Sequence, residues 1–394
     1  IYCGGDLLFE PESFPHDLSG TWKYTPALKE WERVKFASLY LEGAPLGDHL
    51  PEYLLDDWED VQDRLSSFLR SLSIAQVDMR DHCIYDLTPS RFLKEFGRVR
   101  DHMTQYVFRN IQEPKRYKYL EKVCRLLADI KSRPLNINKK RLASYSALPK
   151  NELILKQLQS KEYCIDYNQF GTKTGRLTTN SNSFPLLTLR KDLRSIVEPT
   201  HDYFVELDFN GAEVRVLMGL LGLQQPDIDV HTFHCTEVFD GSLNRQDSKV
   251  AFFAWLYGSR STKTLAYSKR LESYYEKDKV LDKFWDGSTV TTPYGKEIKG
   301  VDQHHALNYL IQSTAAEMTL LQALKIDYFL ATKKAKSHVA AIIHDAIVLD
   351  MDESEKDLLP SVEKLMQGTR FGAMKINCAQ GHNLGSLKEV KIHG

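Results

Sequence analysis

The sequence predicts an α+β protein on three observations. Short apolar strands end in acids, at residues 203–208 and at a hairpin of 339–343 and 347–351 separated by His344, Asp345 and Ala346. Apolar residues recur at helical spacing over 58–72, 245–257 and 307–330. No internal repeat and no low-complexity segment interrupts the pattern, which excludes a repeat architecture.

With 394 residues and 42% hydrophobic content, the chain is long enough for several subdomains. Its 52 Lys and Arg stand against 53 Asp and Glu, a formal charge of -1. The overall balance therefore marks no nucleic-acid binder, and any DNA site must come from local clustering. Basic clusters at 115–118, 131–133 and 139–141 each read, taken alone, as solvated helix faces. The six cysteines are scattered with no C-x-x-C pair, which speaks against structural zinc and a disulfide framework and fits a reducing compartment. No stretch approaches the roughly 18 apolar residues that span a bilayer, and no basic-then-apolar leader opens the chain. The expectation is a soluble, cytoplasmic protein without membrane contact. A start at Ile1 in place of Met points to a processed chain or a fragment.

Residues 1–112 mix Pro and Gly turns with amphipathic stretches and carry no chemistry on their face. A helix from about Tyr119 to Ile130, stopped by Pro134, and a second over 151–158 predict a small helical arm. The strand 203–208 then feeds a helix over about 212–221.

Two features carry chemistry. In the helix over 245–257, Arg245, Lys249, Phe253 and Tyr257 recur every four residues. At about 100° per residue, four steps drift only about 40°, so the four share one face. Two cations followed by two rings suit a polyphosphate tail and a flat base, the shape of a nucleoside triphosphate. The alternative is an amphipathic helix with Phe253 and Tyr257 in the core. Val250, Ala251, Trp255 and Leu256 already supply apolar surface elsewhere, so that alternative makes the helix hydrophobic almost all round. The helix alone leaves both readings open.

The second feature is a pair of acids, Asp208 and Asp345, each ending an apolar strand. Singly, each reads as a cap or turn residue. Brought together from 137 positions apart, they form a carboxylate pair able to hold two Mg²⁺ ions. Such ions sit about 3.5–4 Å apart, one polarising an attacking hydroxyl and one neutralising a leaving pyrophosphate. Oxygen-only ligation and a triphosphate partner favour magnesium over zinc, and Mn²⁺ can substitute.

Six segments, in order, resemble the family A DNA polymerases, the group of bacterial polymerase I, across roughly residues 115–394. They are Tyr167-Asn168-Gln169 with Thr174-Gly175-Arg176-Leu177, Asp208 with Glu213 and Arg215, Asp229-Val230-His231, the helix of Arg245, Lys249, Phe253 and Tyr257, Asn308 with Gln312, and His344-Asp345. The compact core is similar to phage or organelle replication enzymes.

The resemblance implies a right-hand polymerase fold, with a thumb at 113–165, a palm at 166–222 and 300–394, fingers at 223–299, and residues 1–112 a scaffold. It implies that Asp208, Asp345 and the Phe209 carbonyl hold the metals. Arg245, Lys249, Phe253, Tyr257, Glu213 and His231 would bind the nucleotide, Lys249 also donating a proton to pyrophosphate. Glu213, assisted by Phe253, would crowd the sugar 2′ position and select deoxynucleotides, and Phe253 in place of tyrosine implies poor use of dideoxynucleotides. Arg176, Arg194, Asn308, Gln312 and His344 would contact primer–template DNA, with Asn308 and Gln312 reading minor-groove acceptors common to all correct pairs. Implied partners are primer–template DNA, deoxynucleoside triphosphates and replication proteins such as a helicase, primase or processivity factor, acting on a monomer. The sequence departs from the family at Ala346, where a third acid is usual, and at 183–188, which lacks the usual polar residues. A proofreading exonuclease would need an Asp-x-Glu strand in the first 112 residues. Glu10, Glu12, Asp56 and Asp57 do not form that pattern, so none is expected.

Overall fold

Two units divide the chain, Ile1–Ala128 and Asp129–Gly394. The computed structural model describes residues 2–3, 5–8, 10, 37–77, 84–146, 158, 163–258 and 262–391.

In the first unit, helix α1 (Glu52–Ile74) and helix α2 (Ser90–Asn110) pair on a small core of Val61, Phe92, Leu93, Val99 and Met103, with Trp58, Leu65, Phe68 and Phe96 packed against it. Pro51 and Pro89 precede these helices, where a residue without an N–H costs nothing. The helix expected at 58–72 lies inside α1. Asp56 and Asp57 are exposed on α1, and Glu12 lies outside the described residues. Helix α3 (Tyr117–Lys131) matches the helix expected before Pro134, and the division between units falls within it. The helix expected at 151–158 lies outside the described residues except for Leu158.

The second unit is built on a five-stranded antiparallel sheet. A short ladder of β1 (Tyr167–Asn168) and β2 (Thr178–Thr179) precedes its central strand, β3 (Tyr203–Phe209). Helices α4 (Ala212–Leu220), α5 (Val230–Glu237), α6 (Arg245–Leu256), α7 (Thr262–Tyr275), α8 (Lys277–Phe284) and α9 (Gln303–Thr332) follow. The chain returns through β4 (His338–Ile343), β5 (Ala346–Met351), helix α10 (Leu359–Gln367), β6 (Ile376–Gly381) and β7 (Lys388–Glu389). The order across the sheet is β4-β5-β3-β6-β7.

Helix α9 buries fifteen residues on nearly every side, from Ala306 to Leu330, because it packs against α4, α10 and β4 at once. A helix apolar all round belongs inside a protein, and this one supports the sheet's covered face. The hairpin is tighter than expected. Ala346 belongs to β5, paired with Ile343 and with Asp208, so only His344 and Asp345 form the turn, with His344 at φ 56°. A two-residue link between antiparallel strands needs positive φ, which fixes Asp345 at the sheet end beside Asp208.

Candidate active site

Side chains alternate across a strand, so Glu206 and Asp208 share one face of β3 while Tyr203, Val205, Leu207 and Phe209 bury on the other. Asp208 sits between Ala346 of β5 and Asn377 of β6, directly opposite both. Burial raises the Asp208 pKa to about 7, and the charges of Asp345 and Glu206 add to the effect, while a hydrogen bond with Asn377 and the Lys249 ammonium oppose it. Burial raises Asp345 as well, with Arg176 and His344 pulling the other way. The two acids named from sequence therefore meet. The position facing Asp208 is the small, buried Ala346, so no third carboxylate shares that place.

The helix left open by its sequence is decided by packing. Ser248, Ala251, Phe252, Trp255 and Leu256 form the buried face of α6, whereas Arg245, Lys249 and Tyr257 are exposed and Phe253 is half-buried. Val250, counted with Ala251, Trp255 and Leu256 as apolar surface elsewhere on the helix, is 57% exposed. The Phe253 and Tyr257 rings stack at 5.8 Å and 14°. Tyr257 donates to Glu213 at 2.8 Å and also bonds Gln312, while Arg176 pairs with the other oxygen of Glu213. Glu213 is itself buried on the first turn of α4. Residues from α4, α6, α9 and the loop before β2 thus converge beside the carboxylate pair.

The remaining expected residues fall around this centre. His231 is buried, with its ring 6.0 Å from that of Phe253 and its Nδ1 lacking a hydrogen-bond partner. Burial lowers its pKa to about 4, and Lys249, Arg245 and Arg215 reinforce the shift against the Asp229 charge. Asn308 is half-buried with an unpartnered Oδ1. His344 is exposed at the turn. Arg194 donates to the Leu189 carbonyl at 2.9 Å, and its guanidinium faces Glu206 and Tyr167. The Phe209 side chain is buried and its backbone pairs with Ile376.

Sequence reasoning gave no role to three residues that hold the site. Arg215 is fully buried, donating to the Asn210 carbonyl at 2.6 Å and to the Pro226 and Ile228 carbonyls at 2.9 Å each. It fastens the loop after α4 to the end of β3. Tyr167 donates its hydroxyl to the Ile342 carbonyl at 2.6 Å and accepts from the Ile342 N–H at 3.0 Å, pinning β1 to β4 two residues before His344. Asn377 faces Asp208 across the ladder. Tyr167 and Arg215 lie in segments singled out by sequence, but their partners are set by long-range packing, and that of Asn377 by strand pairing.

Among the described residues, no group of three or more His, Cys, Asp or Glu side chains is placed to hold a metal, and no helix is long and apolar enough to cross a membrane. The carboxylate pair still suits a hard divalent cation. Magnesium is commonly bound through one or two carboxylates, with phosphate oxygens and water completing its shell, and its charge would offset the burial and the neighbouring acids that raise Asp208.

No family model matches the chain. It is 23% identical over 241 residues to DNA polymerase I of Caldicellulosiruptor bescii, a match covering 50% of this chain and 28% of that protein. It is 24% identical over 258 residues to DNA polymerase I of Streptococcus pneumoniae, covering 54% of this chain and 29% of the relative. The match therefore spans less than a third of the length of these relatives. Among solved structures, the chain is similar to the POL domain of Pol1 from M. smegmatis in complex with DNA primer-template and dNTP. The TM-score is 0.60 at 13% identity, over 75% of this chain and 76% of that one. The expected α+β architecture is thereby specified as the right-hand polymerase fold. In sequence the chain is similar, over about half its length, to proteins named DNA polymerase I, and in fold it is similar to a Pol1 polymerase domain.

Proposed function

We propose that this chain is a template-directed DNA polymerase that adds deoxynucleotides to a primer 3′-hydroxyl and releases pyrophosphate. The observation that carries the reading is the meeting of Asp208 and Asp345 at one end of the sheet, beside the open face of α6. In this reading residues 113–165 act as thumb, 166–222 and 300–394 as palm and 223–299 as fingers, with 1–112 as a scaffold.

Asp208, Asp345 and the Phe209 carbonyl would hold two Mg²⁺ ions, for which Mn²⁺ can substitute. When bound, the metal supplies polarisation of the primer hydroxyl and neutralisation of the leaving group. The protein's own residues do the rest. Arg245 and Lys249 bind the triphosphate, with His231 near its phosphates, and Lys249 gives a proton to the departing pyrophosphate. The Lys249 charge already acts on Asp208, which supports placing it at the reacting end. The stacked pair of Phe253 and Tyr257 offers a flat surface to the base. Glu213, held by Tyr257 and Arg176, occupies the space a 2′-hydroxyl would need. Arg176, Asn308 and Gln312 face the minor groove, and Arg194 and His344 contact the primer–template. Closure of the fingers would exclude water and check the pair.

Primer extension on a defined template, with Mg²⁺ and each dNTP singly, tests the proposal in wild type and in Asp345→Asn. Template-matched addition that is lost in the variant is the expected result. Absence of addition by a folded wild type that still binds primer–template refutes the enzyme reading and leaves a DNA-binding accessory of replication.

A further inference from the structure

Asp229 has no part in the chemistry described above, yet it is the most heavily bonded acid of the site. Its Oδ1 accepts from the backbone N–H groups of His231 at 3.1 Å and Thr232 at 2.9 Å, capping α5, and from the Thr232 hydroxyl at 3.1 Å. Its Oδ2 accepts from the Asn210 side chain at 2.9 Å. Both oxygens also take the guanidinium of Arg245, Nε to Oδ1 at 2.9 Å and Nη2 to Oδ2 at 2.8 Å.

A helix cap alone needs one acceptor oxygen, which Asn or Ser supplies as well. The second oxygen is committed to two residues outside α5. Asn210 directly follows the end of β3, two residues beyond Asp208, and its Oδ1 accepts from the Val230 N–H at 2.9 Å and from Arg215 at 3.3 Å. A continuous set of bonds thus runs from the strand bearing the catalytic acid, through Asn210 and Asp229, to the first residue of α6. The ion pair is lopsided. The Asp229 side chain is 21% exposed and that of Arg245 is 55% exposed, so the anion is fixed in the protein and the cation stands toward solvent. The bonds engage Nε and Nη2 and leave Nη1 outside the pair.

We infer that Asp229 is a positioning residue for nucleotide binding: it holds the Arg245 guanidinium edge-on from the end of β3, so that the Nη1 edge is set for the triphosphate at a fixed place relative to Asp208 and Asp345. This rests on the polymerase reading above. Ordering a long side chain before the ligand arrives removes that entropy loss from binding, and a bidentate carboxylate–guanidinium pair fixes the plane of the donor. The benefit lies in nucleotide affinity, not in the chemical step.

The test compares wild type, Asp229→Asn, Arg245→Ala and the double variant by single-nucleotide primer extension. Asn keeps the cap acceptor and removes the charge. Asp229→Asn is expected to raise the dNTP KM about five- to tenfold with kcat within about twofold, the size expected for losing one ordered side chain. The double variant should be no worse than Arg245→Ala, because Asp229 acts through Arg245. An unchanged KM, or effects that add in the double variant, overturns the inference. Asp229→Ser, which also caps, replaces Asp229→Asn if the latter does not fold. Should wild type extend no primer, the polymerase reading fails separately, and calorimetric dNTP binding by the same variants decides this one. The expected result there is the same weakening; equal or absent binding refutes it.

Discussion

Asp208→Asn should stabilise this protein at high pH while abolishing its proposed activity. Burial and the neighbouring acids raise the Asp208 pKa from an ordinary 3.8 to about 7. An acid whose folded pKa lies above its unfolded value opposes folding once it ionises. The penalty is absent below the unfolded pKa, grows as pH rises between the two values, and is complete above the folded one. A shift of about 3 units at about 1.4 kcal/mol each gives an upper bound of about 4 kcal/mol at pH 8, and only about 2 kcal/mol at pH 5. Asparagine removes the charge and keeps an amide to meet Asn377 across the ladder. Urea denaturation in a chelator at the two pH values reads the difference directly. The advantage of the variant should widen by about 2 kcal/mol from pH 5 to pH 8 and shrink when Mg²⁺ is added, since a cation that binds the pair stabilises only the wild-type fold. A variant that is less stable than wild type at pH 8, or an advantage that does not change with pH, would show that Asp208 is not held buried among neighbouring acids.

Three further outcomes follow from named contacts. Tyr167→Phe leaves the buried Ile342 N–H and carbonyl without their hydroxyl partner, so stability should fall by about 1–3 kcal/mol; a loss under about 0.5 kcal/mol in urea denaturation would mean that the pin is not formed. Gly211→Ala forces a side chain onto a backbone at φ +70° and brings its Cβ to 2.5 Å from Val230 Cγ1, so a cost of at least about 1–3 kcal/mol is expected, and an unchanged melting temperature would contradict that geometry. Phe253→Tyr should improve chain termination by dideoxynucleotides in a primer-extension ladder, and no change would mean that α6 does not place residue 253 beside the sugar.

The fold class was readable from local pattern, whereas Asp208 and Asp345, each of which reads singly as a cap or turn residue, were singled out as a pair only by their order among the resembling segments. The apolar run at 203–208 marked a strand, four-residue spacing put Arg245, Lys249, Phe253 and Tyr257 on one helix face, and Pro134 marked the end beyond α3. Each of these is a local feature of the chain, which a few neighbouring residues reveal. The direction in which α6 turns that face was not readable. Two apolar surfaces competed for the interior, and contacts with α5 and α7 chose Phe252 and Trp255 over Val250.

The pairing of Asp208 with Asp345 likewise needed the sheet. Residues 137 positions apart are brought side by side by the antiparallel register of β5 on β3, and a shift of one residue would have sent Asp208 to the covered face. The polar supports, Tyr167 to Ile342, Arg215 to three carbonyls and Asp229 to Arg245, left almost no trace in sequence, since a hydrogen bond between distant residues has no period. The sequence by itself determined the elements and the chemical groups they carry, because these follow from local backbone geometry and side-chain type. Only the tertiary structure decided which groups meet, because strand register and long-range packing place them, and it is this packing that buries Asp208 beside other acids, raising its pKa, and holds Arg245 in place.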